Sequence, residues 1–159
     1  MEEVSKFHTV RGYQLLEQNQ KLLTSAMEDY LEMIYRNSLV EGYMRINTLS
    51  ELLNVAAPSA THMVQKLNKL GLLDYKKYGI IFLTDTGREL GKILLQRHNI
   101  IEIFLMNLGV KENTLIETEL IEHNVSAATL HKINIFNRFF EQNPDIIQKY
   151  DQFTQDNIE

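Results

Sequence analysis

The chain has no cysteine, no tryptophan and only two prolines. Without thiols there can be no disulfide, no thiolate zinc site and no iron–sulfur cluster, so any metal must be held by oxygen and imidazole. No apolar run approaches transmembrane length, and Met1-Glu2-Glu3 begins no signal peptide. A cytoplasmic protein without membrane contact is therefore expected. A phosphate-binding glycine loop, a His-Glu-x-x-His motif and a nucleophile triad are all missing, as are repeats and low-complexity runs. Together these absences argue against an enzyme and against a small organic substrate.

What is present is ordinary globular material: 159 residues, 44% hydrophobic and 23% charged. That is enough for one domain, or for two small ones sharing a long element. The net charge of -5 is unevenly spread. Between Arg45 and Arg88 six basic residues face three acids, so a mildly basic segment sits in an acidic chain. A segment of that kind is the electrostatic footprint of a nucleic-acid contact.

Residues 1–24 form a polar extension in which a loop and a modest amphipathic helix (Val10, Tyr13, Leu15, Leu16, Leu22, Leu23) are expected. Arg11-Gly12 belongs either to a basic arm or to a segment docked on its own domain. Thr24 or Ser25 can cap a helix through about Asn37 whose apolar face is Met27, Tyr30, Leu31, Ile34 and Tyr35. Asp29 and Glu32, three apart, share a face beside that stripe. A short strand at Met44-Arg45-Ile46 precedes a helix Leu49–Leu53, capped by Asn47 or Thr48. A turn over 54–57 leads to a second helix, Ala60–Leu70, opened by Pro58-Ser59 and closed by Gly71.

Two short helices joined by a tight turn make a helix-turn-helix. Ala60, Met63, Val64, Leu67 and Leu70 repeat at helical period and face the core. Ser59, Thr61, His62, Gln65, Lys66 and Lys69 then face outward, a mixture suited to phosphates and base edges. The alternative is a plain solvated amphipathic helix. A two-stranded hairpin over 73–83 follows directly, which completes a winged helix, with Lys76 and Lys77 near its tip placed for phosphate contact.

Thr84, or Thr86 with Glu89, caps a long helix reaching Leu108, with Gly109 as its stop. At about 1.5 Å per residue it is on the order of 35 Å long, more than one small domain needs, so it should connect two halves. His98 on its apolar face is either a satisfied core residue or a ligand met by another helix. Within the next helix, Glu119, Glu122 and His123 fall at i, i+3 and i+4 and can converge. Either they hold a cation, since clustered carboxylates otherwise repel, or they form an exposed acidic face with a hydrogen-bonded histidine. A last helix, capped by Ser126 and ended by Pro144, carries more apolar residues (Leu130, Ile133, Ile135, Phe136, Phe139, Phe140) than one small subdomain buries. A dimer surface is the natural use. The expected organisation is thus mainly α: an extension 1–24, a winged-helix DNA-binding domain 25–88, a helical metal-binding and dimerisation domain 89–145, and a polar tail 146–159.

Several stretches taken together resemble the diphtheria toxin repressor family of metal-dependent transcriptional regulators, most of all its manganese transport regulator branch. They are Ser25-Ala26-Met27-Glu28-Asp29-Tyr30-Leu31-Glu32, Pro58-Ser59-Ala60-Thr61-His62-Met63-Val64-Gln65-Lys66-Leu67, Leu83-Thr84 with Gly87, Arg97-His98, and Glu119-Leu120-Ile121-Glu122-His123 with Ser126. The likeness runs through residues 24–142 in order.

The resemblance implies a homodimeric repressor of metal-uptake genes that binds a palindromic double-stranded operator when loaded with metal. It implies that Asp29, Glu32, His98, Glu119, Glu122 and His123 are the ligands of a paired metal site, with two ions per subunit. In the iron-responsive branch the first of these positions, and the first in the Glu119–His123 motif, carry sulfur. Oxygen stands there in this chain, which suits Mn(II), although Fe(II), Co(II) or Zn(II) would also be taken. Alternatives are an iron-responsive repressor of the same family and a winged-helix regulator with a non-metal signal. A di-metal enzyme in a helical bundle would use Glu-x-x-His pairs, yet Leu120 and Leu95 stand three before His123 and His98.

Overall fold

Thr24 caps the first helix, α1 (Ser25–Glu41), by accepting a hydrogen bond from the Met27 amide at 3.3 Å. In this computed structural model the described residues are 22–157 together with Gly12, Gln14, Leu15, Glu17 and Gln18. Those five are helical; the rest of the extension, including the arm expected at Arg11, lies outside the described residues. The chain divides into two compact units, Met1–Leu95 and Gln96–Glu159.

In the first unit, α1 buries Met27, Tyr30, Leu31, Ile34 and Tyr35, the stripe that its spacing demands. Gly42, at φ 77°, ends it, and its amide donates to the Ser38 carbonyl. Then come β1 (Met44–Arg45), α2 (Ile46–Leu52) and α3 (Ala57–Lys69). Both helices begin three residues earlier than expected. Neither has a side-chain cap, so Asn47, Thr48 and Pro58 stand inside the first turns instead of before them. Pro58 fits there because first-turn amides have no helical partner to lose.

Strands β2 (Leu73–Lys76) and β3 (Ile80–Leu83) form the expected hairpin, with Leu73 opposite Leu83 and Tyr75 opposite Ile81. The sheet has three strands, not two, because β1 pairs with β3, Met44 opposite Ile81, in the order β1-β3-β2. Met44 and Ile81 are both fully buried, so the pairing extends the core as well as the ladder. Thr84 ties the wing to the next helix. Its hydroxyl donates to the Gly71 carbonyl at 2.7 Å and accepts from the Gly87 amide at 3.0 Å. At Gly87 a β-carbon would lie 1.8 Å from the Leu72 carbonyl oxygen, so only glycine fits.

The long helix α4 (Asp85–Asn107) starts in the first unit and ends in the second. No helix of the described residues is long and apolar enough to cross a membrane. The second unit continues with α5 (Thr114–Glu122), α6 (Ala127–Gln142) and α7 (Pro144–Asp156). Buried Asn137 of α6 joins it to α4, donating to the Ile100 carbonyl at 2.8 Å and accepting from Asn107 at 3.2 Å. Phe104 meets Phe136 edge-on at 5.5 Å, and Phe136 packs on Phe140 at 4.4 Å. Residues after Asp145, expected as a polar tail, instead form α7. Pro144 both ends α6 and opens α7, and Ile146, Ile147, Tyr150 and Phe153 recur at helical spacing. The Tyr150 hydroxyl donates to the Leu108 carbonyl at 3.3 Å.

Candidate metal centre

The second unit brings three of the expected ligands together. His98 comes from α4, Glu122 is the last residue of α5, and His123 is the residue that caps that helix. Glu122 is 2% exposed and His98 4%, so this charge is buried well away from bulk water. A buried carboxylate must be compensated. Nδ1 of His98 lies 3.0 Å from Oε2 of Glu122 and donates to it, while Nε2 of His123 lies 3.6 Å from the other oxygen. One carboxylate therefore sits between two imidazoles.

Arg97, 1% exposed, places Nη2 3.1 Å from Nδ1 of His123. A guanidinium can only donate, so this ring nitrogen accepts and the ring proton lies on Nε2, toward Glu122. Arg97 thus fixes the tautomer and tilt of His123 and occupies the ring's one lone pair, which an ion ligated by His123 would have to take over from it, a role that was not assigned to it from the sequence. Nothing in its local spacing signals that role, because its partner is 26 residues away. Glu119, one turn before His123, is exposed to solvent.

In the first unit, Asp29 is exposed and Glu32 buried on α1. Arg36, one turn further, holds Oε1 of Glu32 through Nη2 at 2.6 Å and Nε at 3.0 Å. This i,i+4 clamp presets the carboxylate. Between the two acids, Tyr30 is buried, and burial pushes its phenol pKa up, so it remains neutral. Carboxylate and imidazole without thiolate suit a divalent cation of the harder and borderline kinds.

The surface expected to face DNA lies on the same unit. Ser59, His62, Gln65, Lys66 and Lys69 of α3 are exposed and Thr61 is half-buried, while Ala60, Val64 and Leu67 are fully buried. Lys76 and Lys77 are exposed at the wing, Lys76 paired with Asp74 at 2.6 Å. Asn68, not singled out from the sequence, accepts from the Tyr75 amide at 3.0 Å and so locks the end of α3 to the wing.

Residues 22–81 match the "Iron dependent repressor, N-terminal DNA binding domain", and residues 84–151 match the "Iron dependent repressor, metal binding and dimerisation domain". The chain belongs to the iron-dependent repressor family. Among its relatives is the HTH-type transcriptional regulator MntR of Lysinibacillus sphaericus, 42% identical over 137 residues, which cover 85% of this chain and 99% of that one. MntR of Listeria welshimeri is 40% identical over 126 residues, covering 79% and 89%.

Two solved structures are also similar. The manganese regulator SloR has a TM-score of 0.64 at 31% identity, covering 74% of this chain and 55% of that one. A manganese-dependent transcriptional repressor in complex with manganese has a TM-score of 0.62 at 30% identity, covering 71% and 53%. The chain thus spans about half the length of these two solved relatives. The membership settles the class: a metal-dependent, DNA-binding transcriptional regulator and not an enzyme, with a divalent metal as its cofactor.

Proposed function

We propose that this family member is a cytoplasmic, homodimeric repressor that binds palindromic operators of metal-uptake genes when Mn(II) occupies a site made of Asp29, Glu32, His98, Glu119, Glu122 and His123. The observation that carries this reading is the buried carboxylate of Glu122 set between two imidazoles. Bound, the divalent ions, two per subunit, supply positive charge and a preferred ligand arrangement.

The chain's own residues do the rest. Asp29 and Glu32 belong to the unit that carries the DNA-facing helix, and the other four belong to the second unit, so a shared set of ligands couples metal to operator. Unneutralised, these carboxylates oppose the DNA phosphates. Arg36 holds Glu32 in place before any ion arrives, while Arg97 occupies the lone pair of His123 that the ion must take over. The ion shifts the chain toward the binding arrangement only by its preference for that arrangement. Asp29 and Glu119, at the positions where iron-responsive relatives carry sulfur, favour manganese. Fe(II), Co(II) and Zn(II) compete on affinity, so selectivity rests on geometry and supply.

Dimerisation has a ready surface in the second unit, where Ile103, Met106, Leu115, Ile116 and Leu120 are between 48% and 64% exposed. Two copies related by a two-fold axis would present two α3 helices to the half-sites of a palindrome.

The test is a duplex selected from a random pool in the presence of Mn(II), titrated with Mn(II), Fe(II) and Zn(II) at fixed salt. Half-saturation by Mn(II) at its cellular range, with a palindromic selected sequence, is the expected result. Saturation by Fe(II) alone points to the iron-responsive alternative, and binding indifferent to all three overturns the metal signal.

A further inference from the structure

The wing ends in a residue that the fold itself does not use. Lys76 and Ile80 are paired across β2 and β3, leaving the three-residue connection Lys77-Tyr78-Gly79. Both Tyr78, at φ 66° and ψ 21°, and Gly79, at φ 74°, are in the left-handed region. Glycine is required at 79, since a β-carbon there would lie 2.5 Å from Cγ2 of Ile46. Tyrosine is not required at 78. That conformation favours glycine, asparagine or aspartate and strains a bulky aromatic side chain.

Nothing local offsets the strain. Tyr78 is 95% exposed, and among the described residues none stacks on its ring or bonds its hydroxyl. Strain held at an exposed position, with no packing in return, is a mark of use elsewhere. Its surroundings say where. Lys77 precedes it and Lys76 lies one residue further back, and the Asn68–Tyr75 bond fixes this wing to the C-terminal end of α3. A ring projecting just beyond two exposed lysines, of which Lys76 is also paired with Asp74, is suited to the minor groove beside the major groove that α3 enters.

We propose that Tyr78 is a DNA-contacting residue that seats its ring against the sugar walls of the minor groove. There it adds affinity without reading base sequence. Lys77, with Lys76 behind it, holds the neighbouring phosphate, and the phenol hydroxyl remains at the groove mouth in water. The ring therefore contributes by apolar contact, and its removal should leave the salt dependence intact.

The inference rests on operator binding by the winged unit, and the experiment separates the two. Wild-type chain, Tyr78→Asn, Tyr78→Phe and Lys77→Ala are compared in Mn(II) on one selected operator, with hydroxyl-radical footprints and thermal midpoints recorded. Tyr78→Asn is expected to weaken binding by roughly fivefold or more, to lose protection of the sugars flanking each half-site, and to keep or raise the thermal midpoint. Tyr78→Phe should bind as wild type. Lys77→Ala should instead flatten the salt slope by about one unit.

If wild type binds and Tyr78→Asn binds equally well, this proposal falls and the repressor function stands. A lowered thermal midpoint accompanying the weaker binding also overturns it, because Tyr78 would then be serving the fold. If wild type fails to bind any duplex in Mn(II), the function itself falls and takes this contact with it.

Discussion

The two units differ in what they put out of water's reach. In the first, the large side chains with essentially no exposure are all apolar: Leu31, Ile34, Met44, Leu49, Leu67, Ile81, Leu90 and Leu94. In the second they are Ile101 and Leu130 together with two charged groups, Arg97 and Glu122. The first is therefore a mainly apolar core, with Glu28 and Glu32 buried at its edge, carrying a polar reading surface. The second holds an arginine and a carboxylate among its most deeply buried side chains, each engaged by histidine. Buried charge is weak evidence of stability and better evidence of use. Substitutions matched across the two units should give opposite phenotypes.

The largest expected effect is in the apolar core. Leu67→Ala leaves a cavity beneath α3 and should lower unfolding free energy by about 3 kcal/mol. Urea denaturation monitored by circular dichroism would show it, and operator binding should fall in step with the folded fraction. Glu122→Ala should do the reverse. Mn(II) affinity measured by calorimetry is expected to drop by at least roughly 100-fold, since even an outer partner of a metal ligand is worth about 10- to 100-fold. The far-ultraviolet circular dichroism spectrum should hardly change. An unaltered Mn(II) titration would remove Glu122 from the site.

A smaller effect, a gain of no more than roughly 10-fold in Mn(II) affinity, is expected for Arg97→Met, which keeps the length of the side chain but removes the donor that competes for Nδ1 of His123. A fall in affinity in that variant would mean that the Arg97 bond supports the ligand and does not compete with the ion. On the exposed face, Leu115→Glu combined with Ile116→Glu should raise the dimer dissociation constant, seen as a monomer fraction in sedimentation at micromolar concentration. A dimer that survives both charges would place the interface elsewhere on the unit.

Much of this was legible in the sequence, because burial leaves a periodic trace. The i, i+3, i+4 stripe of α1, the glycine stops at Gly71 and Gly109, and the hairpin over 73–83 all appear where local physics demands them, whereas α1 runs four residues past the expected Asn37 before Gly42 stops it. The other misjudged boundaries are those where no cap side chain exists, at α2 and α3, and the end where a proline serves two helices at once. In the candidate site the acids and histidines stood out by type and spacing. Arg36 and Arg97 did not, since an arginine's partner depends on which way the side chain turns. Glu119 shows the limit of spacing from the other side: its helical phase with His123 is as expected, yet its side chain is exposed while Glu122 is buried.

The smallest effect discriminates most finely between the two units. Thr24 caps α1, and Ser126 caps α6 by accepting from the Thr129 amide at 3.2 Å. The chemistry is the same, one side-chain oxygen on an orphan helix amide, so each alanine variant should remove about 1 kcal/mol from the structure it caps. Calorimetric scans without metal then report on cooperativity. If the units melt independently, Thr24→Ala shifts only one transition and Ser126→Ala only the other, each by a few degrees. If the long helix α4 welds them into one cooperative body, both variants move a single peak. With Mn(II) added, ligands drawn from both units should merge the two transitions, and either cap variant should then shift the shared one. Two transitions that persist at saturating Mn(II) would mean that the ion is held within one unit alone.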